Sequence, residues 1–321
     1  MLIPNRERVL VELLREIAAE RGIEMLTFSW DWIILLRKGG LSRHVYGYNF
    51  DLNSAAAQMI AGDKTAVSDL LDFHGVPHVE HRLFLHPRLA GYVSADGNWE
   101  AMRAYAERCG WDVVCKPKDG TGGHNVFRAR GAAELERAVH KLLADDYAVS
   151  LSPFYPIEQE YRFIMLGGRC ELAYAKQRPA VRGDGRSTLA ELLAAALRSG
   201  TLPAEAAARA LRDHAEQAGQ VLPAGQSVDV NWKHNLGQGS RPRDIADAKL
   251  RRCLVDLARA AAEALRLTFA SVDIIATGGR HLVLEVNSGI MMETYARTAA
   301  EGRLAAKAVY AAAVERMFAA P

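Results

Sequence analysis

Cysteine is scarce in this sequence, charge of one sign is not in excess, and no long apolar run occurs. The four cysteines among 321 residues, Cys109, Cys115, Cys170 and Cys253, form no CxxC pair and fall far below the density of a secreted disulfide scaffold. That excludes a small disulfide-stapled domain and fits a reducing cytoplasm. No uninterrupted apolar stretch approaches the ~18 residues that span a bilayer. The opening residues, Met-Leu-Ile-Pro-Asn-Arg-Glu-Arg, turn charged at once, so no signal peptide is expected. Forty Lys and Arg against 38 Asp and Glu leave a net charge of +2, too balanced to point to nucleic acid or a membrane surface. Small-molecule partners are expected instead.

What is present is a chain half apolar, long enough for two or more modest cores. It has no fixed-period repeat and no Ser/Pro-rich linker, so its domains should pack closely. Its most informative stretch is residues 271 to 289, where Asp273, Glu285 and Asn287 flank a hairpin-like break between two apolar strands. Glu285 and Asn287 are two apart in a strand pattern and leave the same face. Two carboxylates and an amide are hard oxygen donors, suited to magnesium, which keeps positions open for water and phosphate oxygens. The triad alone leaves a solvated strand end equally open.

Residues 112 to 126 place Lys116 at the end of a short apolar strand and follow it with Gly120, Gly122 and Gly123. Such a loop can aim successive backbone N–H groups at phosphate while Lys116 supplies a point charge. The lysine precedes the glycines, so this is not a Walker A loop, and the dinucleotide fingerprint fails as well. A surface hairpin rich in glycine remains the alternative. Lys64 follows Gly62-Asp63, where Asp63 can cap the next helix.

Other motifs carry less. Among His74, His78, His81 and His86, the spacing of His78 and His81 in a β-like run and the bracketing prolines argue against a shared metal, and surface or edge-strand positions are expected. Cys115 lies in a Val-Val-Cys strand and reads as a small buried hydrophobe, not a nucleophile. Gly-Asp-Gly at 183 to 185 reads as a turn with Asp184 at its tip. Helices are expected over residues 5 to 21, 52 to 73, 98 to 110, 132 to 144, 189 to 217, 249 to 266 and 294 to 318.

Lys64 in Ala-Gly-Asp-Lys-Thr-Ala, Lys116 in Val-Cys-Lys-Pro, the glycine loop, Glu160-Tyr161-Arg162 and Asp273/Glu285/Asn287 together resemble an ATP-grasp carboxylate-amine ligase over roughly residues 60 to 300. The look is nearest to the ATP-grasp modules of cyanophycin synthetase and bifunctional glutathione synthases, which carry a similar Arg-x-Pro-Ala and Gly-Asp-Gly after the Glu-Tyr-Arg run. Two departures stand out. Gln238 splits the glycine pair expected after Asn235-Leu236, and Ser152-Pro153 replaces an acidic hinge, removing one backbone donor for adenine.

The resemblance implies an α/β (α+β) ATP-grasp fold with three parts. A short N-terminal α/β domain over 1–60 lies on the substrate side, a central lid domain with the glycine-rich loop covers 61–160, and a C-terminal catalytic domain with an antiparallel sheet covers 161–321. ATP would bind between the last two. It implies ATP with Mg2+, or Mn2+, held by Asp273, Glu285 and Asn287. Lys64, Lys116, Gly120, Gly122 and Gly123 would hold the phosphates and Glu160 the ribose. Arg162 and Arg178 would meet transition-state charge, and Lys233 and Asn235 the substrate. Arg178 also reads as an exposed strand arginine. A carboxylate and an amine would be the substrates and a homodimer is possible. A small-molecule kinase, a biotin-type carboxylase and a non-catalytic ATP-binding regulator stay open as competing readings.

Overall fold

The computed structural model describes residues 8–89, 91, 98–118, 125–144, 147–230, 234 and 236–319. The chain opens with α1 (Val9–Arg21), whose buried Leu10, Leu13, Leu14 and Ile17 recur at helical spacing and which ends at Gly22 in the left-handed region. Four antiparallel strands follow in sheet order: β1 (Glu24–Phe28), β2 (Ile33–Lys38), β3 (Leu41–Tyr46) and β4 (Asn49–Phe50). Gly39 and Gly40, at φ 55° and 79°, make the two-residue turn between β2 and β3, which needs positive φ at both central positions.

Helices α2 (Ala55–Gly62) and α3 (Lys64–Phe73) split the expected 52–73 helix at Asp63, whose carboxylate accepts from the Thr65 and Ala66 amides and so caps α3. The next sheet has the order β5-β8-β6-β7, from β5 (Arg82–Leu85), β6 (Val113–Pro117), β7 (Phe127–Ala129) and β8 (Ala148–Pro153). It packs against α4 (Trp99–Arg108) and α5 (Ala132–Leu143) around Met102, Leu135, Val149 and Leu151. Cys115 lies buried in this core, and burial pushes its thiol up to about 12, as befits a packed hydrophobe.

The largest sheet is antiparallel with order β13-β10-β9-β14-β15. Its strands are β9 (Gln159–Leu166), β10 (Arg169–Gln177), β13 (Arg241–Arg243), β14 (Phe269–Thr277) and β15 (Arg280–Asn287). Between β10 and β13 a small unit is inserted, formed by β11 (Ala180–Arg182) paired with β12 (Ser227–Asp229) and by α6 (Leu189–Arg198) and α7 (Ala204–Asp213). Its turn at Gly183 needs glycine, because a Cβ there would lie 2.2 Å from the Pro223 carbonyl oxygen. Asp184 closes that turn by accepting from the Arg186 and Ser187 amides, as the sequence suggested.

One face of the large sheet is covered by α8 (Ala248–Ala264) together with α2 and α3, through Leu71, Leu254, Ala258, Phe163 and Val272. The chain ends with α9 (Glu293–Thr298) and α10 (Gly302–Ala319), and α10 packs into the same core as α1 and β1 to β4 through Tyr310, Val314 and Met317. Phe50 stacks on Tyr310 and meets Phe269 edge-on at its centre. Among the described residues no helix is long and apolar enough to cross a membrane.

Helix α1 has no side-chain cap of its own. Glu293 serves instead, accepting from the Val9 and Leu10 amides at 2.9 and 3.2 Å and from the Tyr48 hydroxyl at 3.1 Å, and its negative charge suits a helix N-terminus. Replacing it, Glu293→Ala, should lower the unfolding free energy by about 2 kcal/mol in urea denaturation. A loss under ~0.5 kcal/mol would show that water caps α1 equally well.

Candidate active site

Register decides which side chains of the large sheet share a face. Asp273 stands opposite Glu285 on one neighbour and Arg162 on the other, Arg162 stands opposite Tyr174, Glu160 opposite Lys176, and Ser271 opposite Asn287. Directly opposed residues project on one side. The face away from α8 therefore carries Glu160, Arg162, Tyr174, Lys176, Asp273, Glu285 and Asn287. A bulge at Leu284 keeps Glu285 in line with Asp273.

At the centre of this face is a buried ion cluster. The Arg162 guanidinium donates from Nε and Nη2 to the two Asp273 oxygens at 2.7 and 2.6 Å. Lys176 Nζ donates to Asp273 Oδ2 at 2.9 Å and to Glu160 Oε1. Two cations face two carboxylates, all but Arg162 under 10% exposed. Burial drives the Asp273 carboxyl up, but Arg162 and Lys176 outweigh it and hold it at about 2. Glu160 goes the other way: burial dominates and lifts it to about 7, Lys176 notwithstanding. Lys176 was missed in the sequence; its only signal was the hairpin register that sets it against Glu160.

A second group of charges comes from the elements packed beside β15. Lys64 is the first residue of α3, and its amide donates to the Lys118 carbonyl at 3.4 Å, while Lys118 pairs with Asp63 at 3.6 Å. Lys116, on β6, is buried, and desolvation reinforced by Lys64 lowers it to about 8 against the pull of Glu285. Two lysines from separate elements thus converge on the carboxylate at the edge of the large sheet. Glu285 and Asn287 are half-buried. Gly120, Gly122, Gly123, Lys233 and Asn235 lie outside the described residues.

Arg178 follows β10 and pairs with Asp229 of β12 at 2.8 Å, joining the inserted unit to the large sheet. Glu160, expected at the ribose, would have to share there a carboxylate already engaged by Lys176. Among the described residues no group of three or more His, Cys, Asp or Glu side chains is placed to hold a metal ion. A cation on this face would be held by Asp273, Glu285 and the Asn287 amide, completed by oxygens of a ligand. That all-oxygen donor set fits magnesium.

One histidine corrects the sequence reading. His81 is 4% exposed and so is no surface histidine, whereas half-buried His78 bridges to the outer edge of β15, an edge position as expected. The Val79 amide donates to the Val283 carbonyl and the Val283 amide to the Pro77 carbonyl, so the segment joins β15 through one parallel bridge at His78, which places both rings by Lys64 and Glu285 around a cavity of about 10 Å3. His78 Nδ1 donates to the Val76 carbonyl at 2.9 Å, its Nε2 accepts from Ser68, and Ser68 Oγ accepts from the His81 amide. Burial, reinforced by Lys116 and Lys64, holds His81 well below its ordinary value.

The comparisons with known proteins bear on this arrangement. No protein-family model matches the chain. In solved structures, a bifunctional glutathione synthetase from Pasteurella multocida superposes over 94% of this chain and 44% of its own, with TM-score 0.57 and 18% identity. A D-alanine–D-alanine ligase from Bacillus anthracis covers 83% and 69%, with TM-score 0.53 and 13% identity. The chain has the ATP-grasp fold. ATP-grasp relatives appear in sequence as well. The glutathione biosynthesis bifunctional protein GshAB of Streptococcus mutans is 27% identical over 167 residues, 47% of this chain and 22% of the relative. Cyanophycin synthetase of Trichormus variabilis is 27% identical over 192 residues, 59% and 19% respectively. The matched part spans about a fifth of each curated relative.

Lys176→Met leaves Glu160 and Asp273 sharing one buried cation and should cost about 3–5 kcal/mol of stability in chemical denaturation. A cost below ~1 kcal/mol would mean that the carboxylates simply take up protons. His81 is neutral when folded and protonates in the unfolded chain below about pH 6.5, so its share of stability is complete above that pH and falls as pH drops. The gap in unfolding free energy between the native chain and His81→Leu should therefore shrink between pH 7.5 and 5, by up to about 1.4 kcal/mol per pH unit. A gap independent of pH would show that His81 takes up protons equally in the folded and unfolded chain.

Proposed function

We propose that this chain is an ATP-dependent ligase that joins a carboxylate, from an amino acid or short peptide, to an amine through an acyl phosphate. One observation carries the reading: the oxygen donors Asp273, Glu285 and Asn287 share a face with Arg162 and Lys176, and Lys64 and Lys116 converge on the Glu285 end of that face. That is a surface for a polyphosphate, with its counter-charges already assembled. The D-alanine–D-alanine ligase of Bacillus anthracis has been solved with ATP, in a structure that superposes on this chain with TM-score 0.50.

In this reading the substrate carboxylate attacks the γ-phosphorus of ATP and ADP leaves, then an amine attacks the acyl carbon and phosphate leaves. Lys64 and Lys116 hold the phosphates, and Arg162 and Arg178 meet the charge spread over the transferring oxygens. Magnesium, held by Asp273, Glu285 and Asn287, would neutralise charge on the β and γ oxygens. The protein's task is positioning and exclusion of water, since an acyl phosphate hydrolyses readily. The strands that bring these groups into register supply the positioning. A cytoplasmic enzyme acting on free metabolites or peptides fits this chemistry.

The test is phosphate release and hydroxamate formation from ATP, Mg2+ and hydroxylamine with a panel of amino acids and dipeptides, repeated with amines in place of hydroxylamine. A hydroxamate with at least one carboxylate, and phosphate release that depends on an amine, are expected. A stable phosphorylated product with neither would make the chain a kinase. Glu285→Gln should cut turnover at least ~100-fold while changing stability by less than ~1 kcal/mol; unchanged turnover would remove Glu285 from the metal set.

A further inference from the structure

His234 lies between the inserted unit and the large sheet and has no part in the phosphate chemistry above. It is 4% exposed, and its Nδ1 has no hydrogen-bond partner among the described residues. An orphaned buried ring nitrogen costs about 1–3 kcal/mol, which asks for a reason. Glu160 Oε2 stands 3.9 Å from Nδ1, just beyond hydrogen-bond reach, and is a carboxylate acceptor facing the ring. Lys176 and Arg178 are the other charged groups that act on it. Both are cations and cannot accept a proton, and Asp273 already receives three hydrogen bonds from Arg162 and Lys176.

Amide formation from an acyl phosphate needs such an acceptor. An amine arrives as an ammonium, and it must lose a proton before or as its lone pair closes on the acyl carbon. Resting on the ligase reading, we infer that His234 is the base for the amine half-reaction, oriented through Nδ1 by Glu160. Its ring takes one proton from the ammonium, and the freed lone pair closes on the acyl carbon as the acyl C–O bond to the phosphate breaks; phosphate leaves with that electron pair and carries off the second N–H proton. The imidazolium then releases its proton to solvent, while Glu160 offsets its charge. Burial, then Arg178 and Lys176, hold the ring unprotonated, down at about 3, and the negative charge of a nucleotide and an acyl phosphate would counter those cations.

The experiment compares two acceptors on one enzyme. Hydroxylamine is unprotonated at neutral pH and needs no base, whereas an amino-acid amine does. Using a carboxylate that yields hydroxamate with the native chain, His234→Gln and His234→Ala should keep hydroxamate formation within about 3-fold and lose amine-dependent ligation by about 100-fold or more. Added imidazole should restore part of the loss in the alanine variant. The ratio of the two rates within one preparation does not depend on how much of it is folded. A ratio equal to that of the native chain, whether both rates fall or neither does, overturns the inference. Failure of the native chain to form any hydroxamate would instead overturn the ligase reading beneath it.

Discussion

The structure turns on one buried interaction, the cluster of Glu160, Arg162, Lys176 and Asp273 across three neighbouring strands. Charges removed from water are tolerable only when each meets its counter-charge in good geometry. Here that requirement acts on the sheet, since shifting β9, β10 or β14 by one residue would turn a charged side chain into the apolar layer beneath α8. The cluster thus specifies register. It also leaves Asp273 ionised and Glu285 beside it, an electrostatic setting made before any ligand arrives.

The second constraint is how the elements around β5 to β8 are tied to this sheet. The segment from Pro77 to Val79 runs along the edge of β15, and Ser68, His78 and the His81 backbone lock it there by hydrogen bonds. Asp63 does related work at the other end, capping α3 and pairing with Lys118. Lys64 and Lys116 therefore approach Glu285 from elements each anchored independently. Positioning of this kind, rather than covalent chemistry by the protein, is what the proposed phosphoryl transfer would demand.

Much of this was legible in the sequence because it is local. Helical periodicity marks α1, α4, α5 and α8, the Asp63 cap is readable from Gly-Asp-Lys-Thr, and two residues apart in a strand puts Glu285 and Asn287 on one face. What escaped depends on pairing over distance. Lys176 reads as one lysine among many until β10 folds against β9 and sets it opposite Glu160, 16 residues away. His81 looked like an edge histidine because nothing local reveals that α3 and β15 close over it. Arg178 was open between catalysis and surface, and its Asp229 partner lies across the inserted unit, beyond the reach of any local pattern.

The core shared by α1 and α10 has a consequence for folding. Leu13 and Ile17 of α1 are packed by Tyr310, Val314 and Met317 of α10, from far along the chain. Until that contact forms, the β1 to β4 layer exposes the apolar side that α10 covers. Such sequence-distant closure is slow, and the uncovered layer is prone to association with other chains.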